Sequence, residues 1–360
     1  MTNSRLQTFN LFRSCTVGLA CGLWLTMFAG HGENGWAQSA DETKAVERAD
    51  PPQFGFYAKA VDCGGIFIRG SAAVQDQTLL TACTKMETML AQMEVTRNNL
   101  KQRGVELHIV GREQKLSELP ENRNLPHNNG TQTAAGTTDP NGGRGTTGIY
   151  SACGEESLTE ASEGTRGGPD LCTREFAIAM MNYGFDEPIR KLIETQFLSS
   201  ITTGRWRGTR AAAGPQDYWA ELSLQYFRGR PGFTKGQSSV PGGLQQYDPA
   251  AYALLDLLYS GKRRPVAIEA VRARQVSQLA LSRVSTRPAE LQLVNNSGQR
   301  IRIFWIDTDG EAKAFGELGP YSRTIEKTFF NHVWMIEDQR GVELQRFVIE
   351  DYVSEVVALD

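Results

Sequence analysis

The sequence predicts an α+β protein, a helix-bearing body followed by a small antiparallel β-sandwich, and three observations point there. Apolar residues recur at helical spacing in several runs before residue 260. The stretch after Pro288 alternates in the manner of half-buried strands, and turn signals divide that second part at short intervals. With 360 residues, 40 % apolar and 22 % charged, the chain has the composition of an ordinary globular protein with room for two domains. Its 38 basic and 41 acidic residues are interspersed and leave a net charge of -3, which supplies no field suited to nucleic acid or an anionic membrane.

The first segment reads as an export signal. Arg5 and Arg13 precede an apolar run from Cys15 to Gly30, and Gly35-Trp36-Ala37 places small residues where a signal peptidase reads, so residues 1–37 are expected to be removed. The run is short for a bilayer span of about 20 residues, so no membrane span is expected after signal removal. The mature protein would then be periplasmic, part of the cell envelope or extracellular. Cleavage after Ala37 leaves Cys63, Cys83, Cys153 and Cys172, which permit two disulfides in any of three pairings; buried free thiols are the alternative.

A polar linker, 38–51, leads into a first domain at 52–286. Gly64-Gly65-Ile66-Phe67-Ile68 reads as a glycine turn and short strand. Leu79, Cys83, Met86, Leu90, Met93 and Leu100 then recur at helical spacing, predicting one long amphipathic helix from Asp76, as cap, to Arg103. Gly104 ends it, and Val105 to Val110 forms a strand carrying His108. Residues 125–148, dominated by Asn, Gly, Thr and Pro, read as a long loop. Helices are expected at Thr173 to Tyr183, Glu187 to Leu198, Asp217 to Phe227 and Pro249 to Tyr259, with a further helical candidate from Val266 to Leu281. The loops between them include Arg205-Trp206-Arg207, read as solvated charge.

The second domain is expected at 287–350, with a tail at 351–360. Leu291 to Val294, Ile301 to Ile306, Thr324 to Ile336 and Glu343 to Glu350 are the β-rich runs. Asn296-Ser297-Gly298, Asp309-Gly310, Gly319-Pro320 and Gly341 mark the turns, the pattern of a small antiparallel sandwich.

Two constellations bear on function. The helix LCTREFAIAMMNYGF has the length and central glutamate of a zinc peptidase helix, but such a helix needs two histidines one turn apart with a glutamate between them. Here Arg174 and Ile178 hold the histidine places, and Glu175 keeps the place of the base. Further on, Asp217 and Glu221 put two carboxylates on one helical face. Together with Phe56-Tyr57-Ala58-Lys59-Ala60, Gly64-Gly65-Ile66, Gly154-Glu155-Glu156-Ser157-Leu158 and Tyr247-Asp248-Pro249, these pieces make residues 52 to 262 resemble the secreted zincin-like (gluzincin) domains related to the anthrax lethal factor catalytic fold.

That resemblance implies a zincin-like domain, in which Asp217 or Glu221 would stand where an acidic ligand is found. The departures imply the loss of its chemistry. Arginine is always cationic and has no lone pair for zinc, and isoleucine has no donor at all. No cofactor is therefore expected, the zinc site being lost, and Glu175 is a vestigial base. Arg174 is expected to pair with Asp217 or Glu221 in place of a metal. The alternative is a hydrolase, a peptidase with a non-standard site around Glu175 and Glu221, since paired carboxylates can do acid-base work.

In the second domain, Val294-Asn295-Asn296-Ser297, Trp305 with Asp309-Gly310-Glu311, Leu318-Gly319-Pro320 and His332-Val333-Trp334 occur in order. They resemble the β domain of the von Hippel-Lindau tumour suppressor family. The resemblance implies a protein-interaction module in which Trp334, His332, Thr328, Phe329 and Phe315 line a peptide-binding surface, the last two standing where the family has tyrosines. Loss of those hydroxyls removes polar contacts that single out a hydroxylated proline. The expected partner is thus a protein or extended peptide. A core filled by Trp305 and Trp334, with His332 satisfying a turn, is the competing reading.

Overall fold

Seven strands form the sheet around which the first part of the chain is built. A computed structural model describes residues 44–122, 136–138, 144–159, 170–230, 232–233, 240–268 and 272–358. The expected signal, residues 38–43 of the linker, and His127 lie outside them, and the rest of the expected linker is not one, because Glu47–Gln53 forms a strand at the edge of the sheet. In chain order come β1 (Glu47–Gln53), β2 (Tyr57–Asp62), β3 (Phe67–Gly70), α1 (Asp76–Leu90), α2 (Glu94–Gln102), β4 (Glu106–Val110), β5 (Gly136–Thr138), β6 (Arg144–Thr146) and β7 (Tyr150–Gly154). The sheet order is β1-β2-β3-β4-β7-β6-β5, with β3, β4 and β7 parallel and the outer pairs antiparallel.

Helices α3 (Glu156–Thr159), α4 (Leu171–Ala179), α5 (Glu187–Thr202), α6 (Pro215–Phe227), α7 (Leu244–Tyr247) and α8 (Pro249–Tyr259) follow. Their starts obey capping chemistry: the carboxylates of Asp170, Asp186 and Asp248 accept from backbone N–H groups of the first turns of α4, α5 and α8. Every residue of α4 is buried, and a π-turn over Met180–Gly184 continues it. Disulfides join Cys63 to Cys83 and Cys153 to Cys172, which selects one pairing out of three. The second ties β7 to the first turn of α4.

The C-terminal part contributes β8 (Arg274–Gln275), β9 (Pro288–Asn295), β10 (Ile301–Ile306), β11 (Ala312–Leu318), β12 (Ser322–Phe329), β13 (Val333–Glu337), β14 (Glu343–Val348) and β15 (Val353–Ala358). They form a five-stranded sheet, β11-β10-β13-β14-β8, facing a three-stranded one, β12-β9-β15. Leu291, Leu293, Ile303, Trp334, Ile336 and Phe347 fill the space between. The chain is thus a mixed helix and sheet protein with a β-rich C-terminal region, and Lys44–Asp360 forms one compact unit. Among the described residues no helix is long and apolar enough to cross a membrane.

Several elements differ from the sequence expectation. The long helix breaks between Leu90 and Glu94, although Met93 stays buried and the apolar stripe continues across the break. There the Gln92 carbonyl lies so close to Gly261 that a Cβ would sit 2.2 Å from it, so tertiary packing overrides helix continuity. Asp76 is not the cap but the first helical residue, paired with Arg48 and Lys59. The expected loop at 125–148 contains β5 and β6.

Among its described residues the helical candidate at Val266 to Leu281 has no helix: Val276 N donates to Arg346 O at 2.9 Å, and β8 adds to the edge of β14. Val266 and Leu279 are 70 % and 88 % exposed, while Ala273, Val276 and Ala280 pack against the sandwich clusters. The run from Thr324 to Ile336 splits at Asn331, whose φ is 64°, into β12 and β13, which belong to opposite sheets. Residues 351–360, read as a tail, supply β15, which pairs in parallel with β9.

Candidate functional site

Helices α4 and α6 pack together and bring the first constellation to one point. On α4 the Arg174 guanidinium is 3 % exposed and each of its nitrogens meets a different carboxylate. Nη1 donates to Glu175 Oε1 at 2.6 Å, Nε donates to Glu221 Oε1 at 3.3 Å, and Nη2 donates to Asp217 Oδ1. Asp217 and Glu221, one turn apart on α6, thus present both acids to one cation, as the spacing implies. Glu175 is 1 % exposed, and Gly145 of β6 lies against it, where a Cβ would come within 3.1 Å of Glu175 Oε1. Ile178, one turn from Arg174, is buried in the apolar core.

The electrostatics follow from burial and pairing. Burial raises the Glu175 and Glu221 carboxyls above the usual range, outweighing the pull of Arg174 and of Arg210. Burial would lower Arg174, but the three carboxylates raise it, so the guanidinium is firmly charged. Zinc does not fit these residues. A permanent cation fills the point at which the carboxylates converge, and Ile178 brings no lone pair. Among the described residues no group of three or more His, Cys, Asp or Glu is arranged to hold a metal ion.

The second constellation assembles on the sandwich. Trp334 is 2 % exposed and its Nε1 donates to Thr328 Oγ1 at 2.9 Å, across the two sheets. The pairing of β10 with β11 skips Phe315, because Ile303 opposes Gly316 while Phe304 opposes Ala314. This bulge throws the ring edge-on against Trp334, with centroids 4.8 Å apart, while leaving Phe315 51 % exposed. His332 lies 5.3 Å from the Phe329 ring, and its Nδ1 is 3.4 Å from Thr328 Oγ1. Burial lowers the His332 pKa, which favours the neutral imidazole. The five residues proposed from the sequence therefore make one contiguous cluster in which Trp334 and Thr328 are buried, Trp334 in the core as the competing reading has it, and Phe315 and Phe329 are exposed, beside β11, the outermost strand of its sheet.

Two contributors were not singled out. Trp305, placed in the core only by the competing reading, sits directly opposite Trp334 on β10 and 5.3 Å from His332. It is only half-buried, and its indole N–H is buried with no hydrogen-bond partner among the described residues. The cross-strand register could not be read before strand pairing was known. Arg210, in the turn before α6, acts on both Glu175 and Glu221. His108 takes no part in either site, being buried between Glu106 and Glu121.

Comparison with known families agrees with the second constellation. The family model described as VHL beta domain matches residues 280–345, from the segment before β9 to the start of β14. The C-terminal region therefore carries a VHL β domain, a protein-interaction module. No curated protein matches the chain.

Proposed function

We propose that the chain is an exported, non-catalytic zincin-like protein whose C-terminal sandwich binds a protein through an extended peptide segment. The observation that carries this reading is the aromatic surface of Phe315, Phe329, His332 and Trp305 over buried Trp334, set beside the free edge of β11. An extended peptide laid along β11 would gain main-chain hydrogen bonds from that edge and apolar contact from the rings. Phe315 and Phe329 bring no hydroxyl, so an unmodified apolar or proline-containing segment suits the surface better than a hydroxylated one.

Support for the non-catalytic part comes from Arg174. All three carboxylates that surround it are engaged by one guanidinium, and Glu175 lies under β6, 1 % exposed. The raised Glu175 and Glu221 carboxyls are what a hydrolase reading would need, but both are paired with the same cation. Two disulfides suit an oxidising compartment outside the cytosol.

Each half has its own test. Metal content of the mature protein, read by mass spectrometry after exposure to zinc and dialysis, should be nil; one zinc per chain would overturn the non-catalytic reading. For the sandwich, a displayed peptide library should yield sequences whose binding falls at least about tenfold in Phe315→Ala, the scale expected for an aromatic anchor. The melting temperature of that variant should stay unchanged. Peptides that bind Phe315→Ala as well as the parent would place the binding surface elsewhere.

A further inference from the structure

Arg323 of β12 leaves the sandwich and enters the face of the first sheet. It is 3 % exposed and surrounded by groups from the body alone. Nη1 donates to Glu106 Oε2 at 2.9 Å and Nη2 points at His108 Nε2 at 2.9 Å. Nε lies 3.9 Å from Glu121 Oε2, too far for a hydrogen bond. The guanidinium plane rests on Tyr150, 3.9 Å from its ring centre, with Phe54 at 4.6 Å and Tyr57 at 5.3 Å.

The surroundings are built independently of the arginine. Glu106 is also held by Arg69 Nε at 2.9 Å, Glu121 accepts from Tyr57 O–H at 2.8 Å, and His108 bridges the two carboxylates. With Arg69 counted, the two carboxylates meet one permanent cation, and Arg323 supplies the second. Burial alone would raise the Glu106 and Glu121 carboxyls, yet Arg323 and His108 pull both below the usual range. A planar fork that stacks and donates in two directions suits this arrangement; an ammonium, a single point charge, does not.

We propose that Glu106, Glu121, His108, Tyr57, Tyr150 and Phe54 form a guanidinium-binding site on the body, and that Arg323 is its intramolecular ligand, docking the interaction module. The inference does not depend on what the aromatic surface binds or on the ancestry of the body. It also connects the two. Arg323 and Thr328 lie on the same strand with opposite parity, so the side that locks into the body backs the side that supports Trp334.

Removing the side chain should leave a cavity that the free ion can refill. In the mature full-length protein, Arg323→Ala should lower the melting temperature by more than about 5 °C, the scale for breaking a buried ion pair. Ethylguanidinium at about 10 mM, far below denaturing concentrations, should restore at least half of that loss, while methylammonium should not, and the parent protein should respond to neither. Arg323→Lys should remain as unstable as Arg323→Ala. An unchanged melting temperature in Arg323→Ala, or equal recovery with both cations, overturns the proposal. Should Arg323→Ala not fold alone, refolding it across an ethylguanidinium series reads the same property. Recovery of folded protein with that ion alone supports the site, and no recovery, or recovery with methylammonium as well, overturns it.

Discussion

At Arg174 three carboxylates that would repel one another are held within reach of a single cation, and that side chain decides what α4 and α6 can be. Its removal leaves Glu175 buried and unpaired, so Arg174→Ala should destabilise the protein by about 3–5 kcal/mol, measured by urea unfolding at pH 7. No measurable change would mean that solvent replaces the guanidinium freely. Glu290 offers the opposite case. Its carboxylate accepts from Tyr183 O–H at 2.8 Å, and burial raises its pKa. A raised folded-state pKa means that its stabilising contribution is complete below the unfolded value, near 4.3, and is lost as pH rises through the folded value. Glu290→Gln keeps an acceptor for Tyr183 and has no charge to bury. The variant should therefore gain stability relative to the parent as pH rises from about 4 to 7. Urea unfolding at both pH values checks the sign, and a gain at the acid end only would refute it.

Among elements, α4 depends on a covalent tie as well as on packing. The Cys153–Cys172 disulfide closes a sequence separation of 19 residues and fixes the start of α4 to β7. Replacing both cysteines by alanine should cost about 3 kcal/mol, seen as a lower urea midpoint. The helices themselves were legible: α6 and α8 end where their apolar periodicity ends, and their aspartates and prolines mark the starts. Less legible were elements whose state is set by distant partners. The segment around Arg274 has helical composition but gains its backbone hydrogen bonds from distant strands, β14 and β15. Trp206 was read as part of a solvated loop, yet it is 2 % exposed and its Nε1 donates to Asp248 at 3.0 Å, where Ser200 and Tyr218 also donate. Nothing local to Arg205-Trp206-Arg207 encodes an acceptor forty residues away. The same limit applies to Trp305, whose residue type was visible but whose cross-strand neighbour was not, while the proximity of Thr328, His332 and Trp334 was legible because they lie within one short run.

For the whole molecule, the junction between body and sandwich has the character of an interior. Val353, with Ile325 and Tyr352, packs into the apolar core of the body. Polar ties run alongside: Gln292 Nε2 donates to Tyr150 O–H, Tyr183 O–H donates to Glu290, Arg103 donates to Asp351 at 3.3 Å, and Arg323 fills its socket. Separating the halves would expose several buried charges without partners, each loss costing kcal/mol on the scale of a whole domain's stability. The two parts should therefore unfold together. Calorimetry of the mature protein should show one transition whose van't Hoff and calorimetric enthalpies agree. A chain ending before Pro288 should lose that transition or melt far lower, because Tyr57, Tyr150, Glu106 and Glu121 would be left facing water without Arg323. Two resolved transitions, with the truncated chain reproducing one of them at its original temperature, would instead mean that the sandwich is carried as an independent module and that the contacts of β12 and β15 with the body contribute little.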